Sequence, residues 1–298
     1  GNEIQTIASM CNATNSLDFS IMERTAFTKM YKKAKEKGTE AISMEYDIPQ
    51  EEVEVLLPSL IVLNRLLKYT VNDSILLSNV LLSDAVMFEM LFPKEASFVV
   101  KAYEEFTLQS ATSIAERFGR DTGHISRVSS VALEIYDKMK KLHGYKLRER
   151  TLLQVSAILQ DIGKYVNVRN HALLSYNTIT NLDIVGINDH ERLIIATVCY
   201  YHNGNIPSMD SPIYNQLSQE DRVMVSKLAA ILQISNAINT SHSPKFEQVS
   251  VNMKNGKLNI YLTTLKNINL EKWAFIAKTK LFREVYGLNA TIIKRGVL

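Results

Sequence analysis

From Glu95 to Tyr145 the chain reads as helix almost throughout, broken at Gly119 and Gly123, and the pattern resumes at Leu147–Leu159, His190–Tyr201 and Gln219–Asn239. Apolar residues at helical spacing over stretches this long require helices packed on helices. Eleven Gly and six Pro in 298 residues leave few punctuators to cut such helices short. A chain of this length exceeds one small core, so two domains are expected.

The first part is more mixed. Residues 1–37 read as helical, with Ile4, Ile7, Ala8 and Cys11 on one face and Met22, Ala26, Phe27, Met30 and Tyr31 on another. The run from Lys29 to Lys37 is expected to stop at Gly38, and Pro49 to open a further helix that Pro58 kinks or restarts. Ile75-Leu76-Leu77-Ser78 reads as a short buried strand. Near the end, Gln248–Met253 and Lys257–Thr263 flank Asn255-Gly256, a hairpin signal because both turn residues tolerate positive φ. A helix around Leu270–Tyr286 and a short strand at Ala290–Lys294 follow.

Cys11 and Cys199 form no CxxC pair, which excludes a disulfide scaffold and a structural zinc knuckle and fits a reducing cytoplasm. The stretches near Leu56–Leu67 and Ile75–Phe92 are too short or too charged to span a bilayer, so no membrane partner is expected. The opening Gly1-Asn2-Glu3-Ile4-Gln5 has neither Met nor a signal-peptide pattern and suggests a fragment. A net charge of +3 conceals an asymmetry: acidic residues dominate through residue 108, and basic ones beyond it. The basic part contains Lys138, Lys140, Lys141, His143, Lys146, Arg148 and Arg150. Such a cluster permits a polyanion partner or forms an ordinary solvated helix end. Aromatic residues are not interleaved for base stacking, which argues against sequence-specific nucleic-acid binding.

Chemistry concentrates at His124, Gln160-Asp161-Ile162-Gly163, Asn170-His171 and Tyr200-Tyr201-His202, each on a different element. Helical bundles build metal sites from facing helices in this way. Imidazole nitrogen and carboxylate oxygen together can hold a divalent ion. Scattered histidines also serve as hydrogen-bonded structural residues, and the residues alone leave both readings open.

The string from Leu152 to Gly163 resembles the HD-domain signature, an apolar helix ending in His-Asp-Ile-Gly. His124 with Arg127-Val128 is similar to the upstream helix of that pattern, Tyr200-Tyr201-His202 to a later Arg-Tyr-His element, and Lys227–Asn239 to its last helix. The hairpin followed by Trp273 and Leu281–Gly287 resembles the tail of the exopolyphosphatase/guanosine pentaphosphate phosphatase (Ppx/GppA) family. Gly1–Ile4, Glu54–Leu60 and Ile75–Ser78 look like pieces of that family's second actin-like lobe. The resemblance implies a mainly α protein. Residues 1–108 would be part of an actin-like (ribonuclease H-like) α/β lobe, and 109–298 a degenerate HD-type helical domain with a small C-terminal β hairpin.

The departures matter as much. Gln160 replaces the His of the doublet, Asn236 replaces an Asp of the last helix, and His171-Ala172-Leu173-Leu174-Ser175 has lost a histidine. In the lobe, Ser59 replaces a Gly, and Leu81-Leu82-Ser83-Asp84-Ala85 keeps neither the Gly nor the Arg of a phosphate-binding segment. His124, Asp161, His171 and His202 remain as a reduced ligand set or a vestigial polar cluster. The family's Mg²⁺-assisted phosphoanhydride hydrolysis of polyphosphate or guanosine pentaphosphate would need an upstream catalytic lobe, and no catalytic residue is assigned in this chain. Two other readings stand beside it. One is a non-catalytic module binding polyphosphate or a guanosine polyphosphate through Lys138, Lys140, Lys141, Lys146, Arg148 and Arg150, with a homodimer allowed. The other is a weak HD metal phosphohydrolase.

Overall fold

A computed structural model describes residues 2–15, 19–78, 80, 82–241, 243, 245–254 and 256–296, and the side chains of all of these except 2, 15, 82 and 94–100. Gly1, Leu81 and Asn255, which carried expectations above, lie outside the described residues. The protein is mainly α with small sheets, and it divides into two compact units, 1–99 and 100–298.

The first unit contains α1 (Asn2–Met10), β1 (Thr14–Asn15), β2 (Phe19–Glu23), α2 (Arg24–Tyr46), α3 (Gln50–Leu67), β3 (Ser74–Ser78) and α4 (Leu82–Leu91). Its strands form an antiparallel sheet in the order β1-β2-β3. Ile7, Met22, Phe27, Ile42, Leu56 and Leu60 fill its core. Three expectations are corrected. Met22 sits on β2 opposite Ile75, because residues 19–23 alternate in burial with the period of a strand. Gly38 does not end its helix: it takes φ +76° inside α2 and interrupts the regular turn, and helix resumes to Tyr46. Strand β3 forms where expected but is not a buried strand, since only Leu77 is buried and Leu76 is 68% exposed.

The second unit runs through α5 (Pro93–Arg117, which begins before the division), α6 (Thr122–Lys138), α7 (Lys140–His143), α8 (Leu147–Leu159), a 3₁₀ turn at Ile162–Tyr165 and α9 (His171–Ile179). It continues with α10 (Asp189–Tyr201), α11 (Pro212–Asn215), α12 (Gln219–Ile238), β4 (Gln248–Lys254), β5 (Lys257–Thr263), α13 (Asn269–Tyr286) and β6 (Asn289–Arg295). Every residue of α8 from Thr151 to Leu159 except Gln154 is buried, and α12 is buried on nearly all sides from Leu228 onward. Helices apolar all round belong at the centre of a bundle, and α6 and α10 pack around these two. Gly119 breaks the chain at φ +65°, as expected. Gly123 does not. It lies in the first turn of α6, where the Asp121 side chain accepts its N–H at 2.9 Å and caps the helix.

At the end, β4 and β5 pair antiparallel around Gly256 at φ +67°. Strand β6 then pairs parallel to β5, so the hairpin becomes a three-stranded mixed sheet with α13 as the crossover. Leu258, Ile260 and Leu262 from β5 and Phe275 and Phe282 from α13 join the bundle core, which makes this sheet part of the second unit.

Candidate metal centre

The centre begins where α8 stops. Its last buried turn delivers Gln160 and Asp161, and the chain then turns sharply through Gly163. That turn lies directly on α9. A Cβ built at Gly163 would stand 2.2 Å from the His171 carbonyl oxygen and 2.5 Å from the Ser175 nitrogen. The Ser175 hydroxyl donates to the Gln160 carbonyl at 2.8 Å and accepts the Gly163 N–H at 2.9 Å. This clamp fixes His171, the first residue of α9, against Asp161. His202 arrives from the C-terminal cap of α10 and is 1% exposed.

Three ligand atoms converge here, all within 4.8 Å of one another. His202 Nε2 lies 3.3 Å and His171 Nε2 3.6 Å from Asp161 Oδ1, and the two nitrogens are 3.3 Å apart. The other ring nitrogens settle which atom carries the proton. His171 Nδ1 is 2.8 Å from the Val168 carbonyl and His202 Nδ1 is 2.5 Å from the Cys199 carbonyl. A carbonyl only accepts, so both Nδ1 atoms donate, and in the neutral form of each ring Nε2 turns its lone pair toward Asp161. Three acceptors facing one point repel one another unless a proton, a water or a cation lies between them. Backbone-oriented imidazoles of this kind are also how metal-binding histidines are held. A four-coordinate zinc with bonds of about 2.1 Å sets its ligands ~3.4 Å apart, which the three observed separations match.

Burial raises the Asp161 carboxyl's pKa, but the neighbouring His202 ring and the Lys164 ammonium outweigh it and hold the group well below the ordinary range. The His171 pKa is lowered by burial first and then by the neighbouring His202 ring. Lys164 Nζ sits 2.7 Å from Asp161 Oδ2, the oxygen turned away from the histidine pair. Lys278 of α13 passes over the Gly204 turn, and burial lowers its pKa against the pull of Asp161. His124 approaches the Asp161 Oδ2 side, with Nε2 at 3.8 Å. Together with Arg120, Gln160 and Lys164, it lines a cavity of about 240 Å³ beside the centre. Gln160 is 1% exposed, and neither of its amide atoms has a hydrogen-bond partner in the protein.

The four residues named from the sequence, His124, Asp161, His171 and His202, thus meet in space. Sequence reasoning missed Lys164, whose signal was its position three residues after Asp161. It also missed Asn239. Asn236 is half-buried, whereas the buried Asn239 places its amide nitrogen 2.8 Å from His124 Nδ1.

The basic residues are less available than their count suggests. Arg148 forks onto Glu191 at 2.6 and 2.5 Å and donates to the Gly186 carbonyl. Arg150 pairs with Asp137 at 2.9 Å, and Lys140 reaches the same carboxylate at 3.2 Å. Lys138, Lys141 and Lys146 are exposed. His143 is buried beside the Tyr136 and Tyr145 rings; its Nε2–H donates to the Tyr136 carbonyl, and its Nδ1 accepts the Tyr145 N–H. Burial lowers its pKa, with Lys227 and Lys140 adding to the effect. The unfolded ring, with a pKa near ~6.5, therefore takes a proton more readily than the folded one. The stability His143 contributes is full above that pH and falls as the pH drops below it. In denaturant titrations, the gap between wild type and His143→Gln is expected to be wide at pH 7.5 and narrower at pH 5.

A helical bundle with a buried carboxylate–histidine cluster between facing helices is an arrangement that could hold a metal ion. The family model described as Ppx/GppA phosphatase, domain III, matches residues 108–281. The match covers more than half of the chain, and the chain belongs to this exopolyphosphatase-related family. Among the described residues, no helix is long and apolar enough to cross a membrane.

Proposed function

We propose that residues 109–298 are a degenerate HD-type domain that holds one divalent transition metal on Asp161, His171 and His202. In this reading the chain binds phosphate polymers without hydrolysing them, and residues 1–108 are part of an actin-like lobe. The carrying observation is the convergence of two Nε2 lone pairs and one carboxylate oxygen, with both Nδ1–H groups held by backbone carbonyls. A metal there would supply Lewis acidity toward a phosphoryl oxygen. Gln160 and Asn239 bring neutral amides to the neighbouring positions, and Lys164 occupies the outer oxygen of Asp161. That leaves few anionic donors for hydrolytic chemistry. Family membership supports a phosphate polymer as the ligand class, with polyphosphate and guanosine pentaphosphate as the candidates.

Filter binding and phosphate release, measured on the same samples, test this reading. The expected result is salt-sensitive retention of long-chain polyphosphate with no phosphate released. Metal-dependent release that Asp161→Ala abolishes would replace it with the metal phosphohydrolase reading. Absence of retention at low salt would refute polymer binding.

A further inference from the structure

His124 shares the cluster with His171 and His202, yet its ring is held the opposite way round. The reason starts at Arg127, three residues along α6 and on the same face. Arginine has no acceptor. Its Nε–H lies 3.4 Å from Asn239 Oδ1, which assigns the oxygen of that amide to the Arg127 side. The amide nitrogen, a donor only, then faces His124 Nδ1 at 2.8 Å. His124 Nδ1 must accept, and a neutral imidazole has only one N–H, so the proton sits on Nε2. That Nε2 lies 3.8 Å from Asp161 Oδ2. A protonated nitrogen has no lone pair for a metal.

We propose that Arg127 and Asn239 form a proton lock on His124 that excludes it from the ligand set and fixes the centre at three protein ligands. Asn239 is a positioning residue here, since it acts through His124. An aspartate in its place would accept from both Arg127 and His124 Nδ1, move the proton to Nδ1, and turn the Nε2 lone pair toward Asp161. Three protein ligands leave a position open to an exogenous group, whereas four close the coordination sphere. The consequence for metal binding rests on the metal reading above. The proton assignment does not.

The test uses the full, metal-free chain labelled with ¹⁵N-histidine, with ring tautomers read from imidazole nitrogen shifts and two-bond couplings. The expected pattern is Nδ1 unprotonated in His124 and protonated in His171 and His202. A protonated Nδ1 in wild-type His124 overturns the lock, whatever any variant does. In Asn239→Asp the His124 proton is expected to move to Nδ1, and zinc affinity by calorimetry to rise about 10- to 100-fold. A His124 that keeps its Nε2–H in that variant also overturns the lock. Wild-type protein that shows the expected tautomers but takes up no zinc supports the lock and sinks the metal reading instead. The wild-type spectrum decides the proposal even if Asn239→Asp does not fold.

Discussion

Gly163→Ala is expected to destabilise the second unit by about 3 kcal/mol or more, at the upper end of what overpacking costs. The new methyl would fall 2.2 Å from the His171 carbonyl oxygen, 2.5 Å from the Ser175 nitrogen and 2.9 Å from Leu174 Cβ. Two of those neighbours are backbone, which cannot rotate away as a side-chain tip does. Relief requires α9 to lift from the turn, and lifting it breaks both hydrogen bonds of the Ser175 hydroxyl. His171 moves with the helix, so the centre loses geometry together with stability. For a unit of this size the loss corresponds to a fall in Tm of roughly 10 °C. Gly119→Ala is the contrast. It meets open space and bears only the strain of a positive φ. Thermal melts of the two variants side by side check the argument. A Gly163→Ala protein within about 1 kcal/mol of wild type would show that the turn and α9 are not in close contact.

Asp161→Asn has the second large effect. The carboxylate is buried, and it is the anion nearest to Lys164, His171 and His202. Removing it leaves a partly buried ammonium unbalanced, which costs about 3 kcal/mol when a buried pair is broken from one side. The pH dependence carries the sign. The folded carboxyl titrates below its unfolded value of about 3.9, so its contribution is complete above that pH and is lost as the pH falls through the folded value. The gap between wild type and Asp161→Asn should therefore be largest near neutrality and shrink from about pH 4 downward. Urea titrations at pH 7 and in the acid range measure it. A gap unchanged across that range would mean that the carboxylate's charge does not stabilise the fold.

The helices of the second unit were legible because α8 and α12 are long apolar runs, and apolar periodicity is what sequence displays best. The same reading failed at Met22, where five residues of strand alternation were too short to stand out from helical spacing. The candidate centre was visible as His124, Asp161, His171 and His202 because their motif context named them one by one. What the motif could not resolve was which asparagine at the end of α12 faces His124. Asn236 and Asn239 lie three residues apart, and only the packing of α12 against α6 selects the second. Nor could it show that Arg148 and Arg150 are held by Glu191 and Asp137, since those partners lie 43 and 13 residues away in the chain. Charge was legible, and its neutralisation was not.

The most direct test of the centre is metal stoichiometry, measured by elemental analysis after loading the purified chain with zinc and dialysing it exhaustively. One equivalent is expected in wild type, with near-complete loss in both Asp161→Asn and His202→Ala. A wild-type protein that emerges metal-free, or two variants that keep the metal as wild type does, would contradict the assignment of Asp161, His171 and His202 as its ligands.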